Sequence, residues 1–366
     1  MAEITILGAG PVGSLLSIFL AKQGFKVNVL EKRPDIRKIA LSAGKSINLA
    51  LSTRGLSALD KIGLKEEVMG LCIPMYGRMI HKTDGSLEFQ PYSSDGKYIN
   101  SISRPGLNKL LIIEAEKNGV QFEFNAPVAH LDPEADQIYI KGNDQPRTLS
   151  DKVAIIGADG AFSSLREQLI KHPFYNYSQE YLDFGYKELT MPPLEGHWAM
   201  EKEALHIWPR KNFMLIALPN LDGSFTCTLF LHHKGEESFD QIVNGQQLNL
   251  FFSKYFPDAL KLIPDLEQQY FEHPEGSMVT VKTFPWSYKG KYCLIGDAAH
   301  AIVPFYGQGM NCGFEDCEIM DELVRQHRTD FKNIFKNFET IRKPNADAIA
   351  LMAINNFTEM RDLVTD

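Results

Sequence analysis

The chain has little of what a metal or disulfide centre needs. Its five cysteines (Cys72, Cys227, Cys293, Cys312 and Cys317) are an odd, scattered set in 366 residues. That is poor material for a disulfide framework and suits a reducing compartment. There is no CxxC and no clustered His/Cys set. Cys312 and Cys317 fall on different faces of an expected helix, and His232 and His233 on opposite faces of an expected strand, so no metal is expected. No apolar run approaches the roughly 20 residues of a bilayer-crossing helix. The first strand begins at Glu3 or Ile4, which leaves no room for a signal peptide, so the expected location is cytoplasmic without a membrane. Positive charge is in deficit: 38 Lys and Arg stand against 46 Asp and Glu, a net charge of -8. This excludes the concentrated basic face that a nucleic-acid partner requires. Paired catalytic carboxylates and a Ser-His-Asp set are also missing.

What is present is glycine in particular places. At 366 residues and 44% hydrophobic composition, the chain has material for about two domains and a large core. Three segments, Gly8-Ala9-Gly10-Pro11-Val12-Gly13, Gly157-Ala158-Asp159-Gly160 and Gly296-Asp297-Ala298-Ala299-His300, each follow an apolar run that reads as a buried strand (Ile4–Leu7, Val153–Ile156, Tyr292–Ile295). The first sits in a β-α-β context over residues 3–31. Gly8 permits the tight turn, Gly10 lets backbone approach a pyrophosphate, and Gly13 lets helix and strand pack closely. The helix N-terminus offers free N–H groups and partial positive charge to phosphates. Glu31, about 20 residues on, is the carboxylate expected on a ribose diol. Asp297 suits the ribityl hydroxyls of a flavin. Gly307-Gln308-Gly309-Met310-Asn311 leads into a helix whose N-terminus would stabilise negative charge on a reduced flavin ring. Together the three segments imply one FAD site.

The organisation expected is α/β: an FAD-binding Rossmann-like domain from residues 1–75, 101–175 and 286–330, with an inserted β-sheet substrate domain from 76–100 and 176–285. Residues 331–366 are expected to form a C-terminal helix. Strands at Gly185–Met191, Leu205–Trp208, Phe213–Leu218 and Phe225–His232 would build the second sheet. Tyr76–Lys82 and Ser86–Gln90, around Thr83-Asp84-Gly85, read as a hairpin. Strands near Gln121–Asn125, Ile138–Lys141 and Val153–Ile156 are expected to return to the first domain.

With its GxGxxG, DG and GD motifs, the chain resembles the flavin-dependent aromatic hydroxylases. Arg104, in Ser101-Ile102-Ser103-Arg104-Pro105, matches the arginine that opens a helix near the cofactor in that family. The resemblance also implies FAD contacts at Arg33, Ala50, Val128 and Asp159. Longer segments are similar to the kynurenine-hydroxylating branch of the family. They are Ser46–Ser52, Tyr76–His81, Leu205–Pro209, Ala217–Asp222, Thr228–His233 and Val303–Asn311. What this implies is an NADPH-dependent monooxygenase acting on L-kynurenine with O2, by way of a flavin 4a-hydroperoxide, within tryptophan degradation toward NAD. Arg78 and Tyr92 would hold the substrate carboxylate, and Asn356 would add a polar contact. Leu205, Leu218, Phe230, Pro304, Phe305 and Met360 would wall the aniline ring. The flavin carries the chemistry, so no side chain is expected to act as a catalytic acid or base.

Hairpin geometry leaves the carboxylate pair open. A three-residue loop at Asp84–Ser86 would set Arg78 and Tyr92 directly opposite, and a two-residue loop at Asp84-Gly85 would set them on opposite faces. Two rival readings also stand: a hydroxylase of another aromatic acid, and an FAD-binding fragment of low activity. The second arises because the family continues with a helical region over the site that these 366 residues do not include.

Overall fold

The computed structural model describes residues 2–39, 48–143, 145–149 and 153–362, with the side chains of Val153 and 357–362 outside the description. Short strands, apolar at the centre of the sheet, pair in a six-stranded sheet. Its order is Ser287–Tyr288, Tyr292–Leu294, Val153–Gly157, Glu3–Leu7, Lys26–Leu30 and Gln121–Glu123. All neighbours are parallel except the first two strands. Apolar runs of this kind suit a parallel sheet covered on both faces. Helix Pro11–Lys22 packs against helices Arg104–Lys117 and Gly309–His327, and Ile4, Ile6, Val27, Val29 and Ile155 are buried in the resulting core. Pro11 opens its helix where a missing N–H costs nothing. Gly24, at φ +87°, follows the helix end in the left-handed conformation that glycine tolerates best.

A seven-stranded sheet forms the second layer. Its order is Gly276–Phe284, Asn176–Met191, Phe225–His232, Phe213–Pro219, Ala204–Arg210, Gly77–His81 and Leu87–Pro91. The hairpin at residues 77–91 therefore joins strands more than a hundred residues later, through a parallel pairing of Arg78 with Leu205. The two-residue period gives the sheet two characters. Leu189, Trp208, Leu215, Ala217, Cys227 and Leu229 face a cluster with Phe251, Phe252, Phe256 and Tyr270, from the helical stretch 245–272. The alternate residues face the first layer.

One expected strand goes elsewhere. Gln137–Ile140 does not return to the parallel sheet but pairs with Val128–Asp132 and Arg147–Thr148 in a small antiparallel sheet. Its buried Ile138 and Ile140 give the same sequence signal as a core strand. Among the described residues no helix is long and apolar enough to cross a membrane. The last helix runs Phe331–Asp362.

Candidate active site

A cavity of about 900 Å³ lies between the two layers. Its cofactor-like end is built by the three glycine segments. Gly8 has φ +100°, and a Cβ there would stand 2.6 Å from the Ala158 oxygen. A Cβ on Gly13 would stand 2.1 Å from the Gly8 oxygen. These two glycines close the turn onto its own neighbours. Gly10 differs: it lines the cavity, and a Cβ there would meet no protein atom within 4 Å. A side chain at Gly10 would occupy cavity space, as expected where backbone must approach a bound pyrophosphate.

The acidic groups divide their work. Glu31 Oε2 accepts from the Ala9 N–H at 2.8 Å, and its Oε1 accepts from the Arg33 N–H and Nε at 2.8 and 2.9 Å. Burial pushes this carboxyl up, and its bonds to Arg33 and Ala9 outweigh that and hold it below its ordinary value. Asp159 Oδ2 accepts from the N–H and Oγ–H of Ser164 at 2.7 and 2.8 Å, while Oδ1 is buried without a partner. Asp297 opens the short helix Asp297–His300, and its side chain is open to the cavity that it lines. Burial raises its pKa, with the Arg104 charge opposing. Arg104, the first residue of its helix, lines the cavity and makes no ion pair among the described residues. An orphaned carboxylate oxygen, two cavity-facing acids, an unpaired arginine and a backbone cradle fit a group with phosphates at one end and hydroxyls along its length.

Of the other residues expected at the cofactor, Arg33, Ala50, Val128, Gly307, Gln308 and Met310 line the cavity. Gly309 and Asn311 do not. The Asn311 amide donates to the Ala50 and Gly307 oxygens at 2.8 and 3.0 Å, and its Oδ1 accepts from the Ser52 N–H at 3.0 Å. Fully buried, it ties the strand Asn48–Leu51 to the glycine turn instead of reaching into the cavity.

The inner face of the seven-stranded sheet walls the other end. Leu205, Met214, Ile216, Leu218, Thr228 and Phe230 all line it, and the ring of Phe230 sits 5.2 Å from that of Phe305. Pro304 lines the same end. The C-terminal helix brings Asn356 there, where its Nδ2 donates to the Phe305 oxygen at 2.8 Å. Met360 lies outside the described side chains, as do Ser46 and Ile47 of the segment near Asn48.

The hairpin takes neither register left open by the sequence. Lys82 pairs with Ser86 across a three-residue loop, Thr83-Asp84-Gly85. Arg78 then stands opposite Gln90, and Tyr92 opposite Tyr76. Two positions from Gln90, Tyr92 shares the face of Arg78 on the diagonal. The guanidinium carbon lies 5.8 Å from the phenol ring centre. The Tyr92 hydroxyl is buried beside Arg78 with no acceptor for its proton, and burial pushes it up to about 12, the Arg78 charge and hydrogen bond opposing.

A family model described as an FAD binding domain matches residues 1–348. A kynurenine 3-monooxygenase of Myxococcus xanthus is 50% identical over 99% of this chain and 79% of its own length. Those of Christiangramia forsetii and Sus scrofa are 46% and 44% identical, over 82% and 77% of their lengths. The chain belongs to the kynurenine 3-monooxygenase family. Among solved structures, 2-methyl-3-hydroxypyridine-5-carboxylic acid oxygenase matches with a TM-score of 0.81 over 99% of this chain and 93% of its own, at 18% identity. An FAD complex of HpxO from Klebsiella pneumoniae gives 0.79 over 99% and 91%, also at 18%. Both share the fold, and FAD is the cofactor that the matched domain and the cavity have in common.

Two features escaped the sequence. His300, Cys312 and Asp316 bring ligand atoms within 4.8 Å of one another, although no spacing announced it. Arg342 supplies the positive charge there, its Nε 2.6 Å from Asp316 and a terminal nitrogen 3.3 Å from the Cys312 sulfur. The second is Glu188, a buried carboxyl on the cavity wall. It lies in Tyr186-Lys187-Glu188-Leu189, where alternation alone reads a glutamate as solvent-facing.

Proposed function

We propose that the chain is an FAD-dependent, NADPH-consuming monooxygenase that converts L-kynurenine to 3-hydroxy-L-kynurenine. The observation that carries this reading is the Arg78–Tyr92 pair at one end of a largely apolar wall. A guanidinium fork and a phenol with a free donor together suit an amino-acid carboxylate. The family relationship supports kynurenine as its bearer. We assign cofactor binding to residues 1–75, 101–175 and 286–330, and the substrate wall to 76–100 and 176–285.

When bound, FAD supplies two-electron transfer from NADPH and delivery of one O2 oxygen to an aromatic ring. The residues of this chain bind, orient and exclude water. Arg78 and Tyr92 fix the carboxylate, and Leu205, Leu218, Phe230, Pro304 and Phe305 press the ring into a dry compartment beside the turn Gly307–Gly309. Asn356 braces the Phe305 backbone, holding that wall in place. Dryness matters because a reactive oxygen species meeting water is lost as peroxide.

The test is direct. FAD-loaded protein is given NADPH in air, with and without L-kynurenine, and NADPH loss and 3-hydroxykynurenine formation are followed. Kynurenine should accelerate both. A faster response to a hydroxybenzoate, with none to kynurenine, would reassign the substrate.

A further inference from the structure

Glu188 has no part in the reading above, yet it is 7% exposed, lines the cavity, and keeps one carboxylate oxygen buried without a hydrogen-bond partner. Its strand places it squarely inward. Glu188 pairs across the sheet with Thr228, and Tyr186, two positions before it, pairs with Phe230. The Tyr186 ring lies 6.4 Å from that of Phe230, which in turn meets Phe305 in the loop before helix Gly309–His327. Glu188 thus belongs to the compartment that this helix N-terminus closes.

Its electrostatic surroundings are sparse. Burial raises its pKa to about 7, opposed only by the charge of Arg104, the same cation that opposes the upward push on Asp297. On its own strand Tyr186 is the titratable neighbour, itself pushed up by burial and by Glu188. The adjacent strand offers Thr228, and His273 bonds only the Glu188 backbone oxygen, at 2.7 Å. One unpaired cation therefore serves two carboxyls in a largely apolar cavity. A further negative charge placed there needs compensation, and a carboxylate with a free oxygen can supply it by taking a proton.

We propose that Glu188 is the charge-compensating residue of the cofactor site, binding a proton when the flavin ring becomes anionic on reduction and releasing it on reoxidation. This rests on the assignment of FAD to the cavity. The balance is simple. Two electrons and one proton convert the oxidised ring to its anionic reduced form, and a second proton from solvent goes to the Glu188 carboxylate. The reductant is NADPH in turnover and dithionite in the test. Above about pH 7 the oxidised protein holds Glu188 ionised and the second proton is taken up; well below it the carboxyl is already protonated and only one is.

The experiment measures the reduction potential of the FAD-loaded protein against pH by dye equilibration. Between about pH 7 and 9 the wild type should fall twice as steeply as Glu188→Gln. A two-electron couple shifts by about 30 mV for each proton per pH unit, so the slopes are about 59 and about 30 mV. Equal slopes would overturn the proposal. Should Glu188→Gln fail to hold FAD, proton uptake by the wild type during dithionite reduction is counted with an indicator dye at pH 8. Two protons per pair of electrons support the role, and one overturns it. A wild type that holds no FAD would instead sink the cofactor assignment, and neither readout involves kynurenine.

Discussion

His81 and His206 face each other across the parallel pair of strands that joins the hairpin to the main sheet, with Nε2 of the first 2.8 Å from Nδ1 of the second. Their outer nitrogens settle the proton positions. His206 Nε2 lies 2.7 Å from the Glu201 backbone oxygen, which can only accept, so this nitrogen carries hydrogen and Nδ1 accepts from His81. His81 Nδ1 in turn lies 2.7 Å from Asp258 Oδ2. The Asp258 carboxylate also accepts from Trp208 Nε1 and sits at about 2, where its bonds to His81 and Trp208 outweigh the upward push of burial. The chain of bonds anchors the strand that carries Arg78.

Acid should release that anchor. Burial pushes His206 down to about 4, below the ordinary 6.5. The unfolded chain then binds a proton that the fold refuses, so stability from this site is complete above pH 6.5 and drains away as pH falls toward 4. The full effect is about 3 kcal/mol. Urea midpoints at pH 7.5 and 4.5 should fall further for the wild type than for His206→Gln; equal falls would contradict it.

Arg78→Ala should weaken kynurenine binding about 100-fold, the scale of a charge-assisted pair at about 2–3 kcal/mol, with FAD affinity unchanged. Tyr92→Phe removes one neutral donor and should cost about 10-fold. Titration calorimetry on FAD-loaded protein reads both. Loss of FAD in either variant would mean the hairpin supports the fold and not the ligand.

Two glycines three residues apart should fail in different ways. Gly13→Ala drives a methyl into the Gly8 backbone oxygen and should lower the melting temperature of cofactor-free protein sharply. Gly10→Val meets no protein atom within 4 Å at its Cβ. It should leave that melting temperature within a few degrees and abolish the yellow colour of bound FAD. Retained colour in Gly10→Val would place the pyrophosphate elsewhere.

Asp316→Asn leaves His300 without its carboxylate and strips Arg342 of one of its two acidic partners, Glu315 remaining at 2.7 Å, and also disturbs the Gly296 N–H, which donates to the same carboxylate at 3.0 Å. Loss of one partner from a buried pair costs about 3–5 kcal/mol. The variant should melt at lower temperature and bind FAD more weakly, since Gly296 precedes Asp297. Unchanged melting would show the network to be dispensable.

The cofactor end was open to sequence reading because each part answers a local demand. Gly8, Gly13 and Pro11 are required by one turn, and a strand–turn–helix frame makes them recognisable. The hairpin register was not, since residues 83–86 permit several loops that differ by one residue, and the loop formed, Thr83-Asp84-Gly85, is one that turn chemistry alone does not single out. Glu188 was invisible for a related reason: a polar residue alternating with apolar ones reads as facing water, and here the inner face meets a cavity. Gln137–Ile140 shows the reverse error, since local burial does not say which sheet a strand joins.

The two-faced sheet separates two kinds of inheritance. Positions facing the helices at 245–272 govern whether the wall stands, and their neighbours one residue away govern what it touches. A lineage could therefore exchange Leu205, Ile216, Leu218 or Phe230 for other shapes while the buried partners Leu215, Ala217 and Leu229 keep the strands in place. New ligand preferences are reachable by single steps at alternate positions, without passing through an unfolded ancestor.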